Sequence, residues 1–213
     1  QIADSLRNGG SAGLSRAKMR NISFGEIFAQ KLYLRAFPHL CTREPGGTPI
    51  AEAIRDLLLD IKNKEMLPET ELLLYSAARA QHSGELIIPA LNEGKMVISD
   101  RYYDSTYAYQ GAARDLDFGV IDTLTDFVCF GRKPDLTILL DLPAEIGLGR
   151  ISSREQDRLE QEALSFHQKV REQFLFIAKK QQSRYLVIDA LKSKEDIHIE
   201  IVRALNVLLG EDK

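Results

Sequence analysis

Residues 96–102 run Met96-Val97-Ile98-Ser99-Asp100-Arg101-Tyr102. An unbroken apolar run passes directly into an acid, a base and a phenol. Apolar runs without alternation belong to strands buried on both faces, as in parallel sheets. Leu136-Thr137-Ile138-Leu139-Leu140 and Tyr185-Leu186-Val187-Ile188 are runs of the same kind. Leu40-Cys41-Thr42 is a shorter one, and it ends at the breaker Pro45-Gly46-Gly47. Helical spacing fills the intervals, at Ile50 to Leu59, from Pro68 through Ala80, and over 117–130, 143–150, 160–182 and 194–209. Pro89 is expected to kink or divide the region that Pro68 opens. With Asn21-Ile22-Ser23-Phe24 as a first strand, this alternation predicts an α/β protein. Its form is a three-layer α/β/α sandwich around a parallel five-stranded sheet.

The chain has 213 residues, enough for one domain with a small lid. Hydrophobic residues at 44% and charged residues at 28% give an ordinary globular balance, which excludes a disordered or collagen-like chain. A net charge of -3 argues against a protein that coats nucleic acid, so any phosphate site must be a local cluster of Arg or Lys. Cys41 and Cys129 form no CxxC and no disulfide framework, and a reducing cytoplasm is the expected setting. No apolar run approaches the ~18 residues of a membrane span. The four His show no metal spacing. Residues 1–18 are rich in Gly, Ser and Ala without a sustained period. They are expected to be a flexible leader, with Met19 as the natural start and a single domain over 19–213. A short organelle-type transit piece is the alternative.

In parallel α/β sheets ligands bind beyond the carboxyl ends of the strands. The strand ends here carry Arg43-Glu44-Pro45-Gly46-Gly47-Thr48, Ser99-Asp100-Arg101-Tyr102, Asp141 and Asp189-Ala190. Singly, each has an ordinary explanation as a turn, a helix cap or a solvated loop. Together on one sheet edge they point to a site. Arg43, Arg101, Arg150, Arg154 and Arg158 are candidates to converge on phosphoryl oxygens, which guanidinium forks bind bidentately. Asp100 is placed to hold Mg²⁺ directly or through water. Tyr75 and Arg79, four apart on one helix, can stack on a base and bond its edge. The alternative is a core tyrosine and an ion-paired arginine.

The strings Thr42-Arg-Glu-Pro-Gly-Gly-Thr48, Leu73-Leu-Tyr-Ser-Ala-Ala-Arg-Ala-Gln81 and Asp100-Arg-Tyr-Tyr-Asp-Ser-Thr-Tyr-Ala-Tyr-Gln-Gly111 closely resemble bacterial thymidylate kinases. Lys133-Pro-Asp-Leu-Thr137, Asp157-Arg-Leu-Glu160, Phe166-His167 with Val170-Arg171, and Val187-Ile-Asp-Ala190 agree, so the likeness spans roughly 40–210. It implies a P-loop nucleoside monophosphate kinase fold and transfer of the ATP γ-phosphoryl group to dTMP, giving dTDP, with Mg²⁺. By resemblance, Tyr75 stacks on thymine, Arg79 bonds its edge, and Arg101 holds the dTMP phosphate with Asp100 near the metal. Arg43, Glu44 and Pro45 shape the acceptor side, and Ser105, Thr106, Tyr109 and Gln110 line base and sugar. Tyr109 falls where a ribose 2′-hydroxyl would go. Residues 150–158 correspond to a mobile lid whose Arg150 and Arg154 close over the migrating group. Asp189 and Ala190 begin the adenine loop. A homodimer packed through helices is implied too, with no nucleic-acid or membrane partner.

One departure stands out. No string of the form GxxxxGK followed by Ser or Thr occurs in the chain. The interval from Phe24 to Arg43 is short by about 15 residues for such a loop and its crossover helix. Lys31 is a lone Lys in an apolar helical stretch and does not replace the missing one. Either a segment is missing from this sequence, or the loop is deleted and the chain binds dTMP without efficient transfer. A kinase for another pyrimidine monophosphate is the third possibility, against which Tyr75, Arg79 and the Ser105-to-Gly111 string speak.

Overall fold

The computed structural model of the protein describes residues 38–210. The leader, Met19, the strand expected at 21–24 and Lys31 fall outside these residues. Within them lie four strands: β1 (His39–Arg43), β2 (Met96–Asp100), β3 (Thr137–Asp141) and β4 (Tyr185–Asp189). All four form where apolar runs were predicted. β1 pairs parallel with β2, and β3 with β4. Parallel partners need a helical crossover. The first crossover contains α1 (Pro49–Leu59), α2 (Pro68–His82) and α3 (Ile88–Asn92), and the second contains α6 (Ala144–Ile151) and α7 (Leu164–Lys180). Between the two pairs lie α4 (Asp104–Thr106) and α5 (Phe118–Val128), and α8 (Lys194–Leu209) closes the described chain.

Most strand residues are half-buried rather than sealed, since each strand has one bonded neighbour among the described residues. The two pairs nevertheless share one apolar layer. Ile188 of β4 with Ile197 and Ile201 of α8 form its centre, and Met96 and Ile98 of β2 pack there alongside Ile138 and Leu140 of β3. Each fully buried Ile of this layer contributes about 1.5–3 kcal/mol.

Local chemistry sets the element ends. Thr48 caps α1 by accepting the Ala51 N–H, with Pro49 in the first turn, where its missing N–H costs nothing. Asp117 caps α5 and Ser193 caps α8 in the same way. Pro89 divides the region after Pro68 as expected. The α2 helix widens into a π-helical turn over Ser83–Ile87, and α3 restarts with Pro89 in its first turn. A proline has no N–H to give and crowds the carbonyl four residues back, so the wider turn absorbs the misfit. A second π-helical turn, Tyr107–Ala113, follows α4.

The helix predicted over 160–182 begins later, at Leu164. Asp157 accepts the N–H groups of both Leu159 and Glu160 and holds this stretch in a turn instead. The register matters for function. Arg43 lies opposite Asp100, and Asp141 opposite Asp189, so each pair ends level with its polar residues side by side.

Candidate functional site

At the end of β1 the chain enters Glu44 and Pro45 through a cis peptide, and the Glu44 N–H donates to the Asp100 carbonyl of β2 at 2.9 Å. Glu44 is buried, and both its oxygens are taken. Oε2 accepts from Arg79 Nε at 2.7 Å, and Oε1 lies 3.0 Å from His82 Nδ1. Arg79 is 3% exposed and also donates through Nη1 to Thr106 Oγ1 at 2.8 Å and through Nη2 to the Tyr102 carbonyl at 3.5 Å. His82, wholly buried, meets Thr42 Oγ1 through Nε2 at 2.7 Å. Arg79 is therefore both ion-paired and poised. A guanidinium has five N–H groups, and these bonds use three of them.

Beside this cluster, Arg43 grips both oxygens of Glu52 at 3.0 and 2.8 Å, and Glu52 also accepts the Gly47 N–H. Arg55 donates to the Pro45 carbonyl at 2.9 Å, where Arg43 also reaches. Burial and the neighbouring Arg43 charge lower the Arg55 pKa. Two cations held this close favour an anion between or beside them. The two glycines are sterically required. A Cβ on Gly47 would stand 2.6 Å from His82 Cδ2 and 2.7 Å from Thr42 Oγ1. One on Gly46 would run into the Glu52 carboxylate. Both have positive φ as well.

Arg101 follows β2 with φ 70°, a left-handed conformation uncommon for a non-glycine residue. Its guanidinium lies over the Tyr109 ring at 5.2 Å and bonds the Tyr109 hydroxyl at 3.2 Å. Asp100 beside it is exposed. Tyr75 and Tyr109 pack together on Ala108, Leu159, Phe166 and Val170. Burial pushes the Tyr75 phenol pKa up, so the ring stays neutral. Ser105 is half-buried at the start of this wall. Thr106 and Gln110 face inward, the first on Arg79 and the second donating to Glu71 at 2.8 Å.

Glu71 is the second buried carboxylate. Arg114 reaches it at 3.1 Å and Arg158 at 2.6 Å. Burial works against its charge, but the hydrogen bonds of Arg114 and Gln110 hold its pKa below the usual range. Arg158 also donates to the Leu58 carbonyl.

The five arginines picked out by sequence thus divide. Arg158 is a buried structural cation and does not join a phosphate cleft, because Glu71 and the end of α1 hold it. Arg154 is exposed and forked onto Glu160 at 2.9 and 2.5 Å. Burial opposes the Glu160 charge, while Arg154 and, more weakly, Arg101 keep its pKa low. Arg150, also exposed, lies 3.5 Å from the Ala190 carbonyl, bringing the candidate lid against the candidate adenine loop. Asp189 caps that loop by accepting the Leu191 N–H.

No three His, Cys, Asp or Glu side chains among the described residues form a ready metal cluster. Asp100 offers one exposed carboxylate at a strand end. That fits Mg²⁺, which keeps waters and takes much of its shell from substrate phosphates.

The family model described as thymidylate kinase matches residues 23–201. The chain belongs to the thymidylate kinase family. The thymidylate kinase of Carboxydothermus hydrogenoformans is 50% identical over 186 residues, covering 87% of this chain and 90% of the relative. That of Lactobacillus acidophilus is 49% identical over 170 residues, covering 78% and 79%. The crystal structure of thymidylate kinase from Ehrlichia chaffeensis superimposes with a TM-score of 0.67 at 31% identity, over 84% of this chain and 87% of that one. The α/β fold is that of the thymidylate kinase family.

Sequence reasoning missed Glu52, Arg55, Glu71 and His82. A signal was present for each. Glu52 and Arg55 share one face of α1, directly after the Pro-Gly-Gly turn. Glu71, Tyr75 and Arg79 recur every four residues on α2, with His82 three further on, and a polar stripe of that spacing on a packed helix marks a buried network.

Proposed function

We infer that the protein is a thymidylate kinase, transferring the γ-phosphoryl group of ATP to dTMP to give dTDP. The observation that carries this reading is the buried Arg79, fixed on Glu44 and Thr106 with N–H groups to spare, one helical turn from Tyr75. A donor-only fork selects a base with a carbonyl edge, and a neutral aromatic ring supplies the stacking surface. Tyr75 then stacks on thymine and Arg79 bonds its edge. Ser105 and Tyr109 line the base and sugar, and Thr106 and Gln110 back that wall. Arg101, Arg43 and Arg55 face the dTMP phosphate, with Glu44 and Pro45 shaping the turn that carries them.

Asp100 would hold Mg²⁺ directly or through water, and bound Mg²⁺ supplies neutralisation of phosphoryl charge. Arg150 and Arg154 come from the lid of 150–158. The Arg154–Glu160 pair is exposed and weakly held, so a phosphoryl group can replace Glu160 at small cost. Asp189 and Ala190 lie at the adenine end.

The two strand pairs resting on one apolar layer support the five-stranded parallel sheet expected from the sequence. Helices α1, α2 and α5 pack side by side and leave Leu57, Leu73 and Phe127 exposed, the last at 78%. Such a face supports a homodimer. A cytoplasmic location fits Cys41 and Cys129, which form no disulfide.

The test is ATP-dependent ADP release by this chain with dTMP, UMP, dCMP and AMP at equal concentration, alongside equilibrium binding of dTMP. Turnover with dTMP alone is the expected result. Binding of dTMP without ADP release would tie the missing phosphate-loop string to lost transfer. Equal turnover of dTMP and UMP would remove the thymine assignment.

A further inference from the structure

His82 reaches Oε1 of Glu44, and Thr42 and Gly47 lie behind the imidazole. His82 Nδ1 lies 3.0 Å from Glu44 Oε1, Thr42 Oγ1 lies 2.7 Å from His82 Nε2, and Gly47 lacks the Cβ that would fill the space of both. An ionised carboxylate only accepts, so Nδ1 carries the proton and donates to it. In the neutral ring Nε2 is then bare and accepts from the Thr42 hydroxyl. The imidazole is wholly buried, and its two ring nitrogens are taken by Glu44 and Thr42. Its output is the angle of the Glu44 carboxylate, and the other oxygen of that carboxylate holds Arg79 Nε at 2.7 Å. Thr106 steadies the opposite side of the fork at 2.8 Å.

We propose that His82, oriented by Thr42, is a positioning residue for base recognition. It fixes Glu44 so that the free N–H groups of Arg79 point at the carbonyl edge of the base. This rests on the inference that Arg79 faces thymine. A guanidinium that swings is still a cation, but it no longer distinguishes a carbonyl from the amino group that cytosine carries at the same place. The residue therefore acts on selectivity more than on total charge.

The experiment is equilibrium binding of dTMP and dCMP by the full chain carrying His82→Ala, His82→Asn, Thr42→Val or Arg79→Lys, with thermal melting to establish that each variant is folded. His82→Ala is expected to weaken dTMP binding about tenfold and to lower the dTMP-to-dCMP preference by a similar factor. His82→Asn, whose amide N–H falls near the position of Nδ1, restores most of both, and simple loss of packing would not give that order. A folded His82→Ala with parental affinity and preference overturns the proposal. If Arg79→Lys moves both quantities and His82→Ala moves neither, the base-edge reading stands and the His82 role alone fails. If neither variant moves them, the reading of Arg79 fails and the role of His82 with it. Should His82→Ala not fold, Thr42→Val decides. A drop in preference supports the relay, and an unchanged preference overturns it.

Discussion

The guanidiniums of this protein live in two environments, and the contrast separates fold from chemistry. Arg79 and Arg158 are 3% and 7% exposed, each against a buried carboxylate and a second protein acceptor. Arg150 and Arg154 are exposed, one near a single backbone carbonyl and the other on a surface carboxylate. Both kinds look alike in the sequence. A buried pair is costly to break from one side, because it leaves a charge without water or partner. An exposed pair is worth little and is readily exchanged. The buried set is therefore held by the packed interior, and the exposed set lies open to solvent.

Glu71→Gln puts this contrast under the greatest strain. It takes from the buried Arg158 its carboxylate and leaves Arg114 with Glu162, and it is expected to destabilise the fold by about 3–5 kcal/mol, read by urea unfolding. The same residue has a pH signature. Its folded-state pKa lies below the usual value, so its stabilisation is complete above the unfolded-state pKa of about 4.3 and disappears as pH falls through the lower folded value. Melting between pH 3 and 7 should show an acid limb that Glu71→Gln flattens.

Gly47→Ala comes next, at about 1–3 kcal/mol, since the new methyl overlaps His82 and Thr42 and the backbone is left-handed. A melting temperature equal to the parent's would mean that the turn relaxes freely. The smallest stability effect belongs to Arg154→Ala, below about 1 kcal/mol for an exposed pair. Here activity should invert the order, with turnover falling more than dTMP affinity. Unchanged turnover would leave Arg154 as a solvated surface charge.

Much of this was legible in the chain. Apolar runs gave all four described strands, and the polar residues after them marked the edge of the candidate site. Glu44 and Arg101 come from those segments, Arg79 from its helical spacing to Tyr75 and Tyr109 from the family resemblance; Arg79 meets Glu44, and Arg101 meets Tyr109. Pairing across distance could not be seen. Glu71 meets Gln110 and Arg158 from far along the chain, and no local pattern says which of five arginines a buried carboxylate will claim. The turn at Asp157 was also hidden, because its two backbone bonds compete with a helix that the apolar spacing alone would start sooner.

The wide turn over Tyr107–Ala113 has a consequence for how the chain tolerates changes in length. A π-helical turn holds one residue more than an α-helix of equal rise. Deleting one residue there would therefore return the segment to ordinary α-helical pitch and leave its two flanks close to their present orientation. Arg101, before the turn, and Arg114, after it, would keep their places, while residues inside it, Tyr109 on Arg101 and Gln110 on Glu71 among them, would change the face they present. Shortening by one residue is thus absorbed by the backbone and felt by the side chains within the turn.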